Sequence, residues 1–429
     1  MNTRQISILA VLSISNIALV FAFQWYIVTY IGSGWKTDAL FAAMVVPNLV
    51  LAIVSSSLTH VLVPILSVKQ GVDFEENAWM FFYLVGFFFI GIAFFLVLSD
   101  GYWLPLLLPG FGSEELQLTT NVFEIQVLSI VGTSLVAVLE AASHAKSKFY
   151  NVELVKNVVG VIALIALSLS IDNYGIYAAA FIFAFRPLLS VMLMMKHLGH
   201  CRHPKYSRKD VKAVWDRLKY LIGGTAYYKT DPLLDRFLLS MATAGSITIY
   251  HLSQQIYSAG STVMNRAISA PMVPILSRHA DAGEWFRFRS DYKNRLYFAL
   301  GLSLLAIMLI YFIGHYFLEL LFHHKNFSES SVDDMWILMI ALSGMFVAGS
   351  VGQILASSFY AIGNTKTPTH IGILGYTVGI FLKIGGFYYY GVIGVAIAAS
   401  MYYTLNAGML YYFLRTQIDR NQRPEAGTT

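Results

Sequence analysis

The chain has one cysteine, Cys201, in 429 residues. A single thiol excludes an internal disulfide and any zinc cluster built on cysteine. Charge is sparse as well: Asp, Glu, Lys and Arg make up 12% of the residues, about half the share of a soluble domain. No hydrophilic stretch is long enough for a folded domain, the longest running from Lys196 to Lys219. A phosphate-binding Gly-rich loop, a His-Glu zinc helix and a nucleophile elbow are all missing. Enzyme chemistry is therefore not expected, and any pumping must draw on an ion gradient, the membrane potential or downhill use of product. The pair His323-His324 beside Lys325 reads as a solvated outer loop, and no metal or cofactor is expected.

What the chain has is apolar length. Hydrophobic residues make up 57%, and mostly apolar runs of eighteen or more recur, each able to cross a hydrocarbon layer of ~30 Å. These runs predict an all-α polytopic membrane protein of about twelve helices, over 6–31, 39–66, 78–99, 118–143, 153–171, 174–196, 216–242, 246–276, 293–318, 334–361, 369–389 and 391–415. The run from Ile6 to Ile31 is too long for a cleaved signal peptide and reads as a retained first helix.

Lys and Arg set the expected orientation. With the N-terminus in the cytoplasm, 22 of the 29 fall in inside segments, while only Lys36 and Lys325 lie in outer loops. Both termini are then cytoplasmic. The pI near 9.0 reflects this asymmetry and attraction to the inner leaflet, not nucleic acid.

Val63-Pro64-Ile65-Leu66-Ser67 recurs as Val273-Pro274-Ile275-Leu276-Ser277, and Leu139 to Tyr150 echoes Leu355 to Pro368. The expected organisation is an N-terminal six-helix lobe over 1–200, a basic linker over 201–215, a C-terminal six-helix lobe over 216–415 and a polar tail over 416–429. Six helices per half give both halves one orientation, a transporter arrangement with the path between the repeats.

Ionisable groups inside spans are costly and mark function by default. Helix seven holds Lys229, Asp231, Asp235 and Arg236, with Pro232 inside it. Asp231 and Asp235 are four apart and share a face, as Lys229 and Arg236, seven apart, share another. The bland reading is an internal ion-pair set, and the functional one is a polar cavity wall that meets an anionic headgroup or titrates during transport. Arg186, before Pro187, and Arg266, beside Asn265, lie mid-helix and read as cavity cations suited to phosphate oxygens. Lys383 reads as a snorkelling lysine. Asp38 follows Gly32-Ser33-Gly34, where an N-cap role is sufficient. Pro47 and Asn48 interrupt helix two and offer a hinge.

Several stretches resemble one family. Gly32 through Thr37-Asp38-Ala39-Leu40 and Pro47-Asn48-Leu49 to Val63-Pro64-Ile65-Leu66 resembles the second-helix signature of the MurJ (MviN) lipid II flippases. Leu107-Leu108-Pro109-Gly110-Phe111 is similar to the segment after their third helix. Asp235-Arg236 and the run to Pro274-Ile275-Leu276-Ser277-Arg278-His279-Ala280 resemble helices seven and eight. Phe359-Tyr360-Ala361 with Asn364-Thr365-Lys366-Thr367-Pro368 resembles the turn after helix ten, and Gly391 to Ser400 the start of helix twelve. The resemblance implies the multidrug/oligosaccharidyl-lipid/polysaccharide (MOP) exporter fold, a bacterial cytoplasmic-membrane location and alternating access. The implied substrate is a polyprenyl-diphosphate-linked saccharide.

The chain also departs from that family. Its cavity arginines in helices one and two match Phe23-Gln24 and Leu51-Ala52 here, and an Asp-Arg pair of helix eight matches Gln254-Gln255. Its two extra C-terminal helices have no counterpart before Thr429. These departures point from lipid II towards another lipid-linked saccharide, with Arg186, Arg266 and Lys229 as displaced cations. Three alternatives stay open: a cation-coupled drug antiporter of the same fold, a membrane polymerase or ligase, and a non-transporting scaffold of polysaccharide assembly. The antiporter requires an acidic cavity and a coupling cation. The polymerase requires larger outer loops than those expected here.

Overall fold

A computed structural model of the chain describes residues 3–200, 206–322 and 326–422. Cys201 and the run His323-His324-Lys325 lie outside them. Among the described residues every regular element is helical. By contact the chain divides into two compact units, Met1–Thr248 and Ile249–Thr429. That division falls later than the linker expected over 201–215.

The first unit contains α1 (Thr3–Ile31), α2 (Trp35–Ala43), α3 (Val45–Ser67), α4 (Gly71–Leu107), α5 (Ser113–Gln126), α6 (Leu128–Ala145), α7 (Phe149–Tyr174), α8 (Ile176–Met194), α9 (Arg208–Thr225) and α10 (Asp231–Ser240). Its centre is α6, which packs on α3, α4, α7 and α8. Small residues allow this. Ala137, Ala141 and Ala142 are buried, and a side chain at Gly132 would collide with Pro187 of α8. Close approach through small residues is how helices associate where lipid supplies no hydrophobic drive.

The second unit begins within α11 (Ser246–Met264) and continues through α12 (Ala270–Asp281), α13 (Trp285–Phe322), α14 (Glu329–Ala361) and α15 (Lys366–Gln422). Here α14 packs on both α13 and α15. The apolar stretch of α13 is 17% buried, against 67% for the α5–α6 stretch. Its outer face exposes Phe298, Leu305, Met308, Phe312 and Phe317, an apolar surface suited to lipid. Two helices are joined in α15 across Gly391, at φ 58° and ψ −138°. Glycine adopts that left-handed φ without a Cβ clash. On either side of it, Gly386 and Gly394 pack backbone to backbone, so a Cβ on either would meet the other's carbonyl.

Nine stretches among the described residues are long and apolar enough to cross a membrane, and one of them is the doubled α15. The two expected helices outside this set are the seventh and eighth, each broken and comparatively polar. The seventh is split into α9 and α10 around a 3-10 turn, Tyr228–Thr230. The eighth is split into α11 and α12 by a π-helical turn, Asn265–Ser269. A strict count of twelve spans is therefore not established by length and hydropathy.

The other differences are local. Helix two breaks at Met44 rather than at Pro47-Asn48. Pro47 has no N–H to offer the Ala43 carbonyl, so the interruption appears one turn upstream. Pro232 does not kink a continuous helix but occupies the first turn of α10, where its missing N–H costs nothing. Helix four is divided at Val127, with no proline or glycine to announce it.

Candidate functional site

Asp38 is a polar group of the first unit held by three hydrogen bonds. It was expected to cap its own helix, but that helix starts earlier, at Trp35. Thr37 serves the α2 start instead, its Oγ1 accepting from the Gly34 N–H at 3.1 Å. Asp38 is buried and reaches the N-terminus of α11. Its Oδ2 accepts from the Gly245 N–H at 2.6 Å, and its Oδ1 from the Thr248 N–H at 2.7 Å and the Thr248 hydroxyl at 2.6 Å. A carboxylate is the complement of open amides at a helix start. The N-cap reading is thus right in chemistry and wrong in partner.

The helix-seven charges separate in the structure. Asp235 and Arg236 are buried in α10, and Asp231 starts that helix half-buried. The i, i+4 relation of Asp231 and Asp235 holds. Lys229 lies outside α10 in the 3-10 turn, so the expected face shared with Arg236 does not form. Its ammonium instead donates to the Ala52 carbonyl of α3.

The two lone arginines differ. Arg186 is half-buried on α8, its guanidinium facing Asn16 Oδ1 of α1 at 3.5 Å and the backbone of Gly160 on α7. Among the described residues no carboxylate pairs with it. Arg266 is exposed within the π turn, again with no hydrogen-bond or ion-pair partner among them. Such turns insert one residue into a helix and recur at functional positions. Lys383 is a correction: it does not snorkel, being fully buried with its ammonium 5.5 Å from the Tyr402 ring centre. A snorkelling head must reach water, and this one lies inside the second unit.

A sequence model of the family described as lipid II flippase MurJ matches residues 27–426. The chain belongs to the MurJ family. A probable lipid II flippase MurJ of Vibrio cholerae is 29% identical over 219 residues, 50% of this chain and 41% of that protein. The chain spans about half the length of the curated relatives it first matches. A solved lipid II flippase MurJ in an inward closed conformation superposes with a TM-score of 0.82 at 18% identity, over 96% of this chain and 89% of that one. An inward-facing multidrug resistance MATE family transporter of the MOP superfamily gives 0.81 at 13% identity, over 97% and 96%. The expected MOP fold is therefore present, in a multi-pass membrane protein.

In this MurJ-family chain the glutamines at departing positions sit differently. Gln24 is buried beside a small apolar gap lined by Phe23, Ile27, Phe41, Met44 and Phe183. Gln254 and Gln255 are half-buried on α11, in the second unit. Sequence reasoning passed over Asn16, Thr248 and Gln126. Asn16 carried a usable signal, an amide in the middle of an apolar helix. So did Gln126, now fully buried at the α5–α6 break with neither amide atom hydrogen-bonded among the described residues. Thr248 carried none, because its partner is 210 residues away.

Proposed function

We propose that this chain is a flippase, not an enzyme, that moves a polyprenyl-diphosphate-linked saccharide across the cytoplasmic membrane by alternating access. The match to the MurJ family over 27–426 carries this reading. Its saccharide is a peptidoglycan precursor or a cell-surface polysaccharide unit. Both termini are cytoplasmic, and the two six-helix lobes over 1–200 and 216–415 are parallel repeats.

Two arginines support an anionic substrate. A cation at mid-span costs ~2.5–3.5 kcal/mol even on the lenient insertion scale, and neither Arg186 nor Arg266 has a carboxylate to offset it among the described residues. A diphosphate would offset it, and guanidinium matches phosphate oxygens in a two-pronged fork. Lys229, Asp231, Asp235, Arg236, Asp38, Gln24, Gln254 and Gln255 complete the polar set we assign to substrate handling. A drug antiporter would use a net-acidic set and a coupling cation, whereas the lone mid-span charges here are bases.

The test is reconstitution into liposomes loaded with polyprenyl-diphosphate saccharides, scoring sugar accessibility on the far leaflet. Transfer by the wild-type chain supports the reading. No transfer of any such lipid, by folded protein at normal density, would replace it with the scaffold reading.

A further inference from the structure

The turn joining α12 to α13 closes on a histidine that substrate handling does not use. His279 lies in the last turn of α12. Its carbonyl accepts from the Glu284 N–H at 2.8 Å, across a left-handed Gly283 at φ 70°. Both of its ring nitrogens meet carboxylates. Nδ1 stands 3.0 Å from Glu284 Oε2, and Nε2 stands 3.1 Å from Asp291 Oδ2, in the second turn of α13. An ionised carboxylate only accepts, and a neutral imidazole has one N–H to give. Neutral His279 therefore satisfies one carboxylate and leaves the other facing a bare ring nitrogen. Imidazolium, with two N–H groups, satisfies both. A protonated carboxyl could donate instead, but carboxyls carry a proton only in acid, near ~4. The contacts with His279 and Arg287 hold that of Glu284 lower still.

Few other charges bear on this ring. Glu284 comes from the turn and Asp291 from α13, and Arg287 of α13 reaches Glu284 Oε1 at 2.8 Å. Arg278 and Asp281 flank His279 on α12 and have no ion-pair partner among the described residues. Neither α14 nor the π turn, which also pack on α12, sends the imidazole a hydrogen bond or ion pair among those residues. The His279 side chain is 20% exposed and both carboxylates 39%, so the ring can exchange its proton with solvent. A cation in the last turn of a helix also meets the negative end of the helix dipole.

The sequence repeat holds a counterpart. His279 stands two residues after the second Val-Pro-Ile-Leu-Ser, and Lys69 two residues after the first. Lys69 likewise sits between two carboxylates, Asp210 at 2.7 Å and Asp73 at 3.8 Å. Each unit thus has, at a helix end, a cation between two acids. Lysine is charged at every pH a cell meets, whereas histidine changes charge between about pH 5 and 8. We propose that His279 is a proton-operated clasp on the α12–α13 turn: protonated it ties α12 to both Glu284 and Asp291, and deprotonated it drops one of them. Lys69 is the fixed version of the same device. α12 has 12 residues and follows directly on the π turn that carries Arg266. Opening the clasp therefore frees the far end of the helix that leads to that arginine. In the orientation proposed above, the clasp reads cytoplasmic pH.

The test is hydrogen–deuterium exchange of the full-length chain in detergent micelles at about pH 5.5 and about pH 7.5, either side of the ordinary histidine value. It is read by mass spectrometry at the Ala282, Gly283 and Glu284 amides, which donate to the Arg278, Ala280 and His279 carbonyls, and corrected for the intrinsic pH dependence of exchange. A partly exposed ion pair contributes up to about fivefold, so wild-type protection should fall by about that factor as pH rises. His279→Lys should hold the turn at both pH values, and His279→Gln should lose protection at both. Lys69→His should transplant the response to residues 67–73. Asp291→Asn, whose amide can donate to a bare ring nitrogen, should blunt the response and serves if His279→Lys does not fold. Wild-type protection equal at the two pH values, within about twofold, would overturn the proposal. So would an unchanged response in His279→Lys, which would place the titrating group elsewhere.

Discussion

Removing the Asp38 carboxylate should loosen the start of α11 in a graded way. Three buried or part-buried donors converge on it, two from Thr248 and one from Gly245. A hydrogen bond to a charged group contributes about 1.5–3 kcal/mol, and leaving a buried donor unmade costs about as much. In Asp38→Asn, Oδ1 still accepts from both Thr248 donors, but the amide nitrogen faces the Gly245 N–H, donor against donor. The expected cost is one such bond, about 1.5–3 kcal/mol. In Asp38→Ala all three donors lose their acceptor, so the cost should approach the upper range for single substitutions, about 4–5 kcal/mol. Backbone amide exchange at Gly245 and Thr248 reads this directly, since about 1.4 kcal/mol is tenfold. Asn should raise the exchange rate at Gly245 at least tenfold while Thr248 stays protected, and Ala should raise the rate at both. Wild-type protection of Thr248 in Asp38→Ala, with the chain folded, would refute the capping role. Equal effects of Asn and Ala would refute the bond-by-bond account.

Other outcomes follow from geometry already described. Arg266→Ala should abolish flipping at wild-type abundance and Arg266→Lys should restore it in part, because ammonium lacks the fork; unchanged transport by the Ala variant would make the residue structural. Ser147→Gly should stabilise the chain by about 1 kcal/mol by relieving a left-handed serine at φ 57°, measured by thermal unfolding in detergent. Gly394→Ala should destabilise by about 1–3 kcal/mol or prevent folding, since its Cβ would fall 1.9 Å from the Gly386 carbonyl oxygen. The Lys69–Asp210 pair at 2.7 Å holds the Asp210 carboxyl below its ordinary pKa. That contribution is complete above the ordinary aspartate range near ~4 and fades as pH falls through the lowered value. For a pair at the surface it amounts to ~0.2–1 kcal/mol, so Asp210→Asn should lower stability slightly at neutral pH and lose that deficit in acid.

Long apolar runs made most of the fold legible. The boundary between the last two expected helices, 389 to 391, falls on the Gly391 break because glycine there announces a left-handed residue. Breaks made by side-chain context rather than by proline or glycine were not legible. Val127 and the π turn at Asn265–Ser269 look like ordinary helix in the sequence. Within the site, the rule that charge inside a span marks function picked out Arg186 and Arg266, which lack described carboxylate partners. The snorkelling reading misjudged Lys383, since it assumes a path to the surface and the packing of α15 closes it. Asp38 was identified as a cap, but sequence spacing cannot show which of two distant helix starts a carboxylate will serve.

The Asp38 link also bears on how the chain is made. Its donors are translated 210 residues after it, about 10–40 s later at ordinary rates of synthesis. During that interval helix two must reside in the bilayer with its carboxylate uncapped, at a cost of ~2.5–3.5 kcal/mol if it faces lipid. The first unit is therefore finished only when the opening turn of α11 leaves the ribosome. Until then its second helix is a marginal insertion, held in place by its apolar length and by whatever guards nascent spans.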